Sequence, residues 1–191
     1  MTRWRAVANA KAQVVLGLAL AASLTPANMA QAGDLSAEVA LCGYAVSFPS
    51  APRHFSVDHV DAFGRPGVLR GAEIEVTDIA LVRFDCFRPA GGGAPPPGRD
   101  EAITRLFEHT RALGIFKQRY QYRTVGSRTS AVVIGERKIA GQVYAVRMEF
   151  HFQRGMTLGL IASYRAGNPR GESAVEQFVE SFRLNRLGPE N

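Results

Sequence analysis

The chain has 191 residues, carries 23 Lys and Arg against 17 Asp and Glu, and is 46% hydrophobic with only two cysteines. A formal net charge of +6 over that length permits some attraction to anionic surfaces but does not by itself indicate nucleic acid. Two cysteines without a CxxC spacing likewise give no sign of redox catalysis.

Arg3, Arg5 and Lys11 precede the apolar run AQVVLGLALAASL, and Ala30 and Ala32 follow in cleavage-site spacing. Residues 1–32 read as a cleavable signal peptide. A retained anchor is the alternative, but the run is shorter than the roughly 20 residues a spanning helix needs. No cysteine stands at the cleavage point to take a lipid. Cleavage after Ala32 leaves residues 33–191 as a single domain with 20 basic and 17 acidic residues. The remaining surplus of charge is ordinary for a soluble domain, and the leader sets the expected localisation as periplasmic or extracellular, with no transmembrane segment in the mature chain.

In YAVSFPSAP, Tyr44, Val46 and Phe48 alternate with Ala45 and Ser47 as in a strand with one covered face, and Pro49 and Pro52 end it. The stretch RHFSVDHVD, residues 53–61, has no decisive period, and Gly64, Pro66 and Gly67 predict a turn. EIEVTDIALVRFDCF, Glu73 to Phe87, reads as two strands broken at Thr77-Asp78, the second pointing Val82, Phe84 and Cys86 inward opposite Arg83 and Asp85. PAGGGAPPPG, residues 89–98, predicts an exposed Gly/Pro-rich loop. Asp100 is placed to cap a helix with the stripe Ile103, Leu106, Phe107, Thr110 and Leu113, ended by Gly114; His109 falls off the stripe, in solvent.

The stretch FKQRYQYR has two readings. As one half-buried strand, Phe116, Gln118, Tyr120 and Tyr122 face one way and Lys117, Arg119, Gln121 and Arg123 the other. A nucleic-acid platform needs exposed rings beside the charge, which this segregation does not supply. The other reading is an anionic-surface patch of Lys117, Arg119 and Arg123, joined by Arg128, Arg147 and Arg154 if folding gathers them. Val132, Val133 and Ile134 predict a core strand. VYAVRMEFHF then alternates Tyr144, Val146, Met148, Phe150 and Phe152 against Ala145, Arg147, Glu149 and His151, and Met156, Leu158, Leu160, Ala162 and Tyr164 alternate after the turn at Gly155. These two strands predict an antiparallel pair at the heart of a sheet. After GNPRG, the stripe Ala174, Val175, Phe178, Val179 and Phe182 predicts a second amphipathic helix.

Few residues carry chemistry. Cys42 and Cys86 are expected to pair in an oxidising compartment, closing a loop of about 45 residues and adding roughly 4 kcal/mol of stability; two buried thiols or one reactive thiol are the alternatives. His54, Asp58, His59 and Asp61 could ligate a borderline metal, but no short ligand spacing with a following helix fixes them, so surface hydrogen bonding is the expectation. His151 could line a cleft with Glu149 and Arg147 beside it. No GxSxG turn or phosphate-binding glycine loop occurs, and no cofactor is implied.

The order of the elements, with YAVSFPSAP near the start and VEQFVESFRL near the end, resembles small exported bacterial proteins of Mog1/PsbP-like fold, the carrying marks being Phe48-Pro49 and Ser181-Phe182. The resemblance implies an α+β fold, an antiparallel sheet with helices against its faces as an α/β/α sandwich, and brings no catalytic set. The expected function is a secreted or periplasmic noncatalytic binding or accessory protein whose partner is an unknown envelope protein or ligand. A small exported enzyme using His151 or the His54 cluster is the alternative.

Overall fold

The computed structural model describes residues 37–76, 80–93, 95–125 and 128–184. The predicted leader lies outside them, as does the Thr77-Asp78 break. Ten strands and two helices follow in the order β1 (Ala37–Leu41), β2 (Tyr44–Phe48), β3 (Arg53–Val60), β4 (Pro66–Val76), β5 (Ala80–Pro89), α1 (Arg99–Ala112), β6 (Ile115–Val125), β7 (Arg128–Ile139), β8 (Gln142–Gln153), β9 (Met156–Arg165), α2 (Pro169–Glu180) and β10 (Arg183–Leu184). Seven strands form one sheet in the order β3-β4-β5-β9-β8-β7-β6, and β1-β2-β10 form a smaller one. All the pairings are antiparallel. The class is α+β, dominated by antiparallel sheet.

The hairpins follow from local chemistry. Two-residue turns at Cys42-Gly43 and Ala140-Gly141 have positive φ at both positions, 52° and 81° in the first and 47° and 83° in the second. That geometry matches the twist of the flanking strands, and glycine adopts it without a Cβ penalty. β3 to β5 and β6 to β9 are thus two runs of sequential hairpins. They meet at a single seam, where β5 pairs with β9 from Ala80↔Tyr164 to Phe87↔Thr157.

Cross-strand partners point to the same face, so the register sorts the side chains. Leu160 lies opposite Phe84 on one side and Glu149 on the other. The apolar set of β9 therefore shares a face with Val82, Phe84 and Cys86, and also with Arg147, Glu149 and His151 of β8. On this first face α2 contributes Val175 and Phe178, and the small sheet Val46 and Phe48, to a core over β4, β5 and β9. On the second face α1 contributes Ala102 and Leu106 to a core with Val133, Val146, Met148 and Phe152. The helices thus lie on opposite faces and over opposite halves of the sheet. Each half keeps one side without a helix.

This diagonal cover explains several departures from the sequence expectations. Val132 and Ile134 are not core residues: only Val133 faces α1, and Ile134 is 36% exposed. Phe107 is 45% exposed, because α1 buries the Ala102, Leu106 and Thr110 stripe instead. Asp100 does not cap α1; the N-cap is Gly98, without a side-chain hydrogen bond, and Asp100 stands in the first turn. The start of α2 is capped by Asn168, whose Oδ1 accepts from the backbone N–H of Arg170 at 3.0 Å and Gly171 at 3.1 Å. Residues 53–60 form a regular strand after all, β3 at the sheet edge.

Cys42 and Cys86 form a disulfide, with Cα atoms 6.5 Å apart. It ties the β1–β2 turn to β5, clamping the small sheet over the first core. No described helix is long and apolar enough to cross a membrane.

Candidate functional site

The first face of β6, β7 and β8 carries no helix, and the register lays out its surface in rows. Arg119, Ile134 and Arg147 form one; Gln121, Val132 and Glu149 the next; Arg123, Ser130 and His151 the third. Arg119, Gln121 and Arg123 are all exposed and line the edge strand β6. Among the described residues, neither Arg119 nor Arg123 has a carboxylate within ion-pair distance, whereas Arg147 is bonded to Glu149. Unpaired charge on this face is therefore concentrated on the β6 edge.

A bulge reorders the start of β6. Between Phe116 and Arg119 the register slips by one residue, and Lys117 has φ 52°. Phe116 consequently lies opposite Glu136, on the arginine side and 39% exposed, rather than with Tyr120 and Tyr122. The extra residue in the strand causes this reversal, which strict alternation misses. Lys117 reaches back to Glu136, with Nζ donating to Oε1 at 3.0 Å and Oε2 at 2.9 Å. Tyr120 and Tyr122 turn to the second face, where their hydroxyls meet Thr110 Oγ1 and Pro97 O, each at 2.9 Å.

His151 sits where this face meets the end of α2. Its ring stacks on Phe182 with centroids 4.6 Å apart. Its Nε2 is buried without a hydrogen-bond partner, 3.6 Å from Glu149 Oε2, beyond hydrogen-bonding range. Burial works against the ionised form of Glu149, but His151 and Arg147 together outweigh it and hold the carboxyl below the usual glutamate range. The histidine joins a charged row and an aromatic lid.

The second face of β3, β4 and β5 holds a chain of charges that the sequence reading did not single out. Arg53 binds Glu73; Arg83 Nη1 lies 3.8 Å from Glu73 Oε2; and Arg83 Nε donates to Asp85 Oδ2 at 2.8 Å. The guanidinium of Arg83 packs 4.4 Å over the Phe55 ring. Asp85 is only 7% exposed. It lies in register between Gly71 and Gly159, and a Cβ at Gly159 would stand 2.4 Å from Asp85 Oδ1. Burial pushes the Asp85 carboxyl up, with Arg83 pulling the other way. The pair of glycines in neighbouring strands was the signal available in the sequence.

Beside this chain, His59 packs edge-on against Phe87 at 5.9 Å. Burial lowers the pKa of His59, aided by Arg83 and opposed by Asp61. Burial also lowers His109, followed by the effect of His59, again against Asp61. His109 is half-buried rather than fully solvated. Asp61 accepts from the backbone N–H groups of Phe63 at 3.0 Å and Arg65 at 2.9 Å, holding that turn.

The remaining predicted positions do not converge. His54 and Asp58 share one side of β3 and are exposed there, away from His59. Arg154 is not gathered with the β6 arginines; its Nε donates to Gly93 O at 3.3 Å. The Arg128 side chain lies outside the described residues. No group of three or more His, Cys, Asp or Glu among the described residues is placed to hold a metal ion.

No family model and no curated protein matches the chain. A solved structure from Bacteroides thetaiotaomicron VPI-5482 is similar over 78% of this chain and 47% of that one, at 10% identity and a TM-score of 0.43. The chain thus spans about half the length of that protein. A likeness of this degree assigns neither fold family nor function.

Proposed function

We propose that the protein is an exported, noncatalytic recognition or accessory component of the cell envelope that binds an anionic partner through the open β6–β8 face. The observation that carries this reading is the pair Arg119 and Arg123, exposed, without carboxylate partners among the described residues, and on one face with Gln121 and partly exposed Ile134. Ionised guanidinium groups left without an internal partner gain most from an external carboxylate or phosphate. The predicted leader and the Cys42–Cys86 bond support export. Helices against opposite faces of an antiparallel sheet support the Mog1/PsbP-like α/β/α arrangement as the family reading.

Lys117 is a lesser member of the patch, since Glu136 already neutralises it. A small enzyme built around His151 is the second reading, favoured by its unpartnered Nε2 beside Glu149. The test is capture of envelope components on the disulfide-intact protein and on the Arg119→Gln/Arg123→Gln variant. Capture lost in the folded variant supports recognition by this face. Capture indifferent to both arginines refutes it, and substrate turnover abolished by His151→Gln would favour the enzyme.

A further inference from the structure

We infer that the partner is an acidic extended segment of another protein that adds to β6 as an eighth strand, a proposal that rests on the surface-recognition reading above. β6 is the terminal strand of the seven-stranded sheet. An edge strand directs every second backbone N–H and C=O away from its neighbour, where an added strand takes them up. The bulge at Phe116–Arg119 interrupts the regular register, so the uninterrupted docking edge runs from Arg119 to Val125. That is the length of a short strand.

Charge chooses the occupant. Arg119 and Arg123 lie four residues apart on one side of β6, roughly 14 Å at strand rise, with Gln121 between them. Carboxylates at positions i and i+4 of an antiparallel partner stand directly opposite both. A second copy of this chain is disfavoured, because self-pairing centred on Gln121 sets Arg119 of one copy against Arg123 of the other twice, and like charges directly opposed destabilise a sheet. A flat anionic surface fits less well than a strand. Laid on this face, it also meets Glu136 and Glu149 on the inner strands β7 and β8, whereas a strand beside β6 meets the arginine row first.

The experiment uses the oxidised protein and four kinds of probe. They are a labelled peptide of about ten residues with Glu at alternate positions and Val or Thr between; the same peptide with Lys for Glu; the same peptide N-methylated at alternate residues; and phosphatidylglycerol-containing vesicles. The N-methylated peptide is made in both alternating phases, so that one phase blocks the N–H groups facing β6. Fluorescence anisotropy gives the affinity, and amide hydrogen exchange at residues 119–125 reports strand addition. The acidic peptide is expected to bind and slow exchange along β6, the Lys peptide to fail, and one N-methylation phase to weaken binding at least tenfold. Arg119→Gln and Arg123→Gln are each expected to weaken it roughly threefold, and together about tenfold. Equal binding by both N-methylated peptides, an unaffected double variant, or no binding by the acidic peptide overturns the proposal. Vesicle binding that needs both arginines, without peptide binding, overturns strand addition yet leaves surface recognition standing. Envelope capture indifferent to the arginines removes the surface reading itself.

Discussion

Replacing Asp85 by Ala leaves Arg83 without its closest counter-charge beneath the Phe55 ring. At 2.8 Å between Nε and Oδ2, the gross attraction is about 6 kcal/mol at an effective dielectric of about 20. Much of that is offset by the desolvation of two largely buried side chains, 18% and 9% exposed. What the substitution removes is therefore compensation for a buried cation, and breaking such pairs costs about 3–5 kcal/mol. Arg83 keeps Glu73 at 3.8 Å, which places the expected loss near the low end, about 3 kcal/mol. Urea unfolding followed by far-UV circular dichroism should show a lower midpoint with an unchanged slope. The double variant Asp85→Ala/Arg83→Leu should recover part of the loss, since no unpaired charge is left. A loss below about 1 kcal/mol for Asp85→Ala, or a double variant as unstable as the two single losses combined, would show that the pair is not the compensation described.

Reduction of Cys42–Cys86, or its replacement by two serines, should lower stability by roughly 4 kcal/mol on the chain-entropy model, read as a shift in the urea midpoint. Asn168→Ala removes the acceptor for two backbone N–H groups at the start of α2 and should cost about 1 kcal/mol, checked by the same unfolding curve. His59 and His109 both have lowered folded pKa values, so the unfolded chain binds protons first as pH falls below 6.5. Their contribution is fully present above that pH and is lost as pH falls toward the folded values. Melting temperatures at pH 7.5 and 5.5 should differ in that direction, and His59→Gln/His109→Gln should reduce the difference.

Where alternation along a strand was unbroken, the sequence was a sufficient guide. The sets Tyr144 to Phe152 and Met156 to Tyr164 each fall on a single side of β8 and β9, and Cys86 points inward beside Phe84 as its period required. Period alone does not say which face a neighbouring strand's set will share, and the two sets in fact face opposite ways. That depends on register across the seam, a long-range property. The same gap hid Asp85. Opposite Cys86 and Phe84 it read as a wet position, yet the Phe55 ring and Arg83 close over it. Arg119 and Arg123 fall on one side of β6 as the alternation required, while Lys117 is drawn away to Glu136. The bulge that separates Phe116 from the tyrosines leaves no mark in a two-residue period, because the extra residue is absorbed at Lys117 by a backbone conformation that the side-chain pattern does not encode.

The seam between β5 and β9 bears on how the chain reaches this form. Each hairpin run zips from its own turns, closing short loops at little entropic cost. Joining them brings Phe87 and Thr157 together across an intervening excursion that contains α1 and β6 to β8. That closure is a long-range ordering step, as is the pairing of β10 with β2 between Arg183 and Ala45, and topologies with such distant pairings fold slowly. The disulfide lies wholly on the early side of it, linking Cys42 to Cys86 before the excursion begins. Oxidation can thus secure the first half of the molecule while the second is still searching, an order of events compatible with an oxidising compartment.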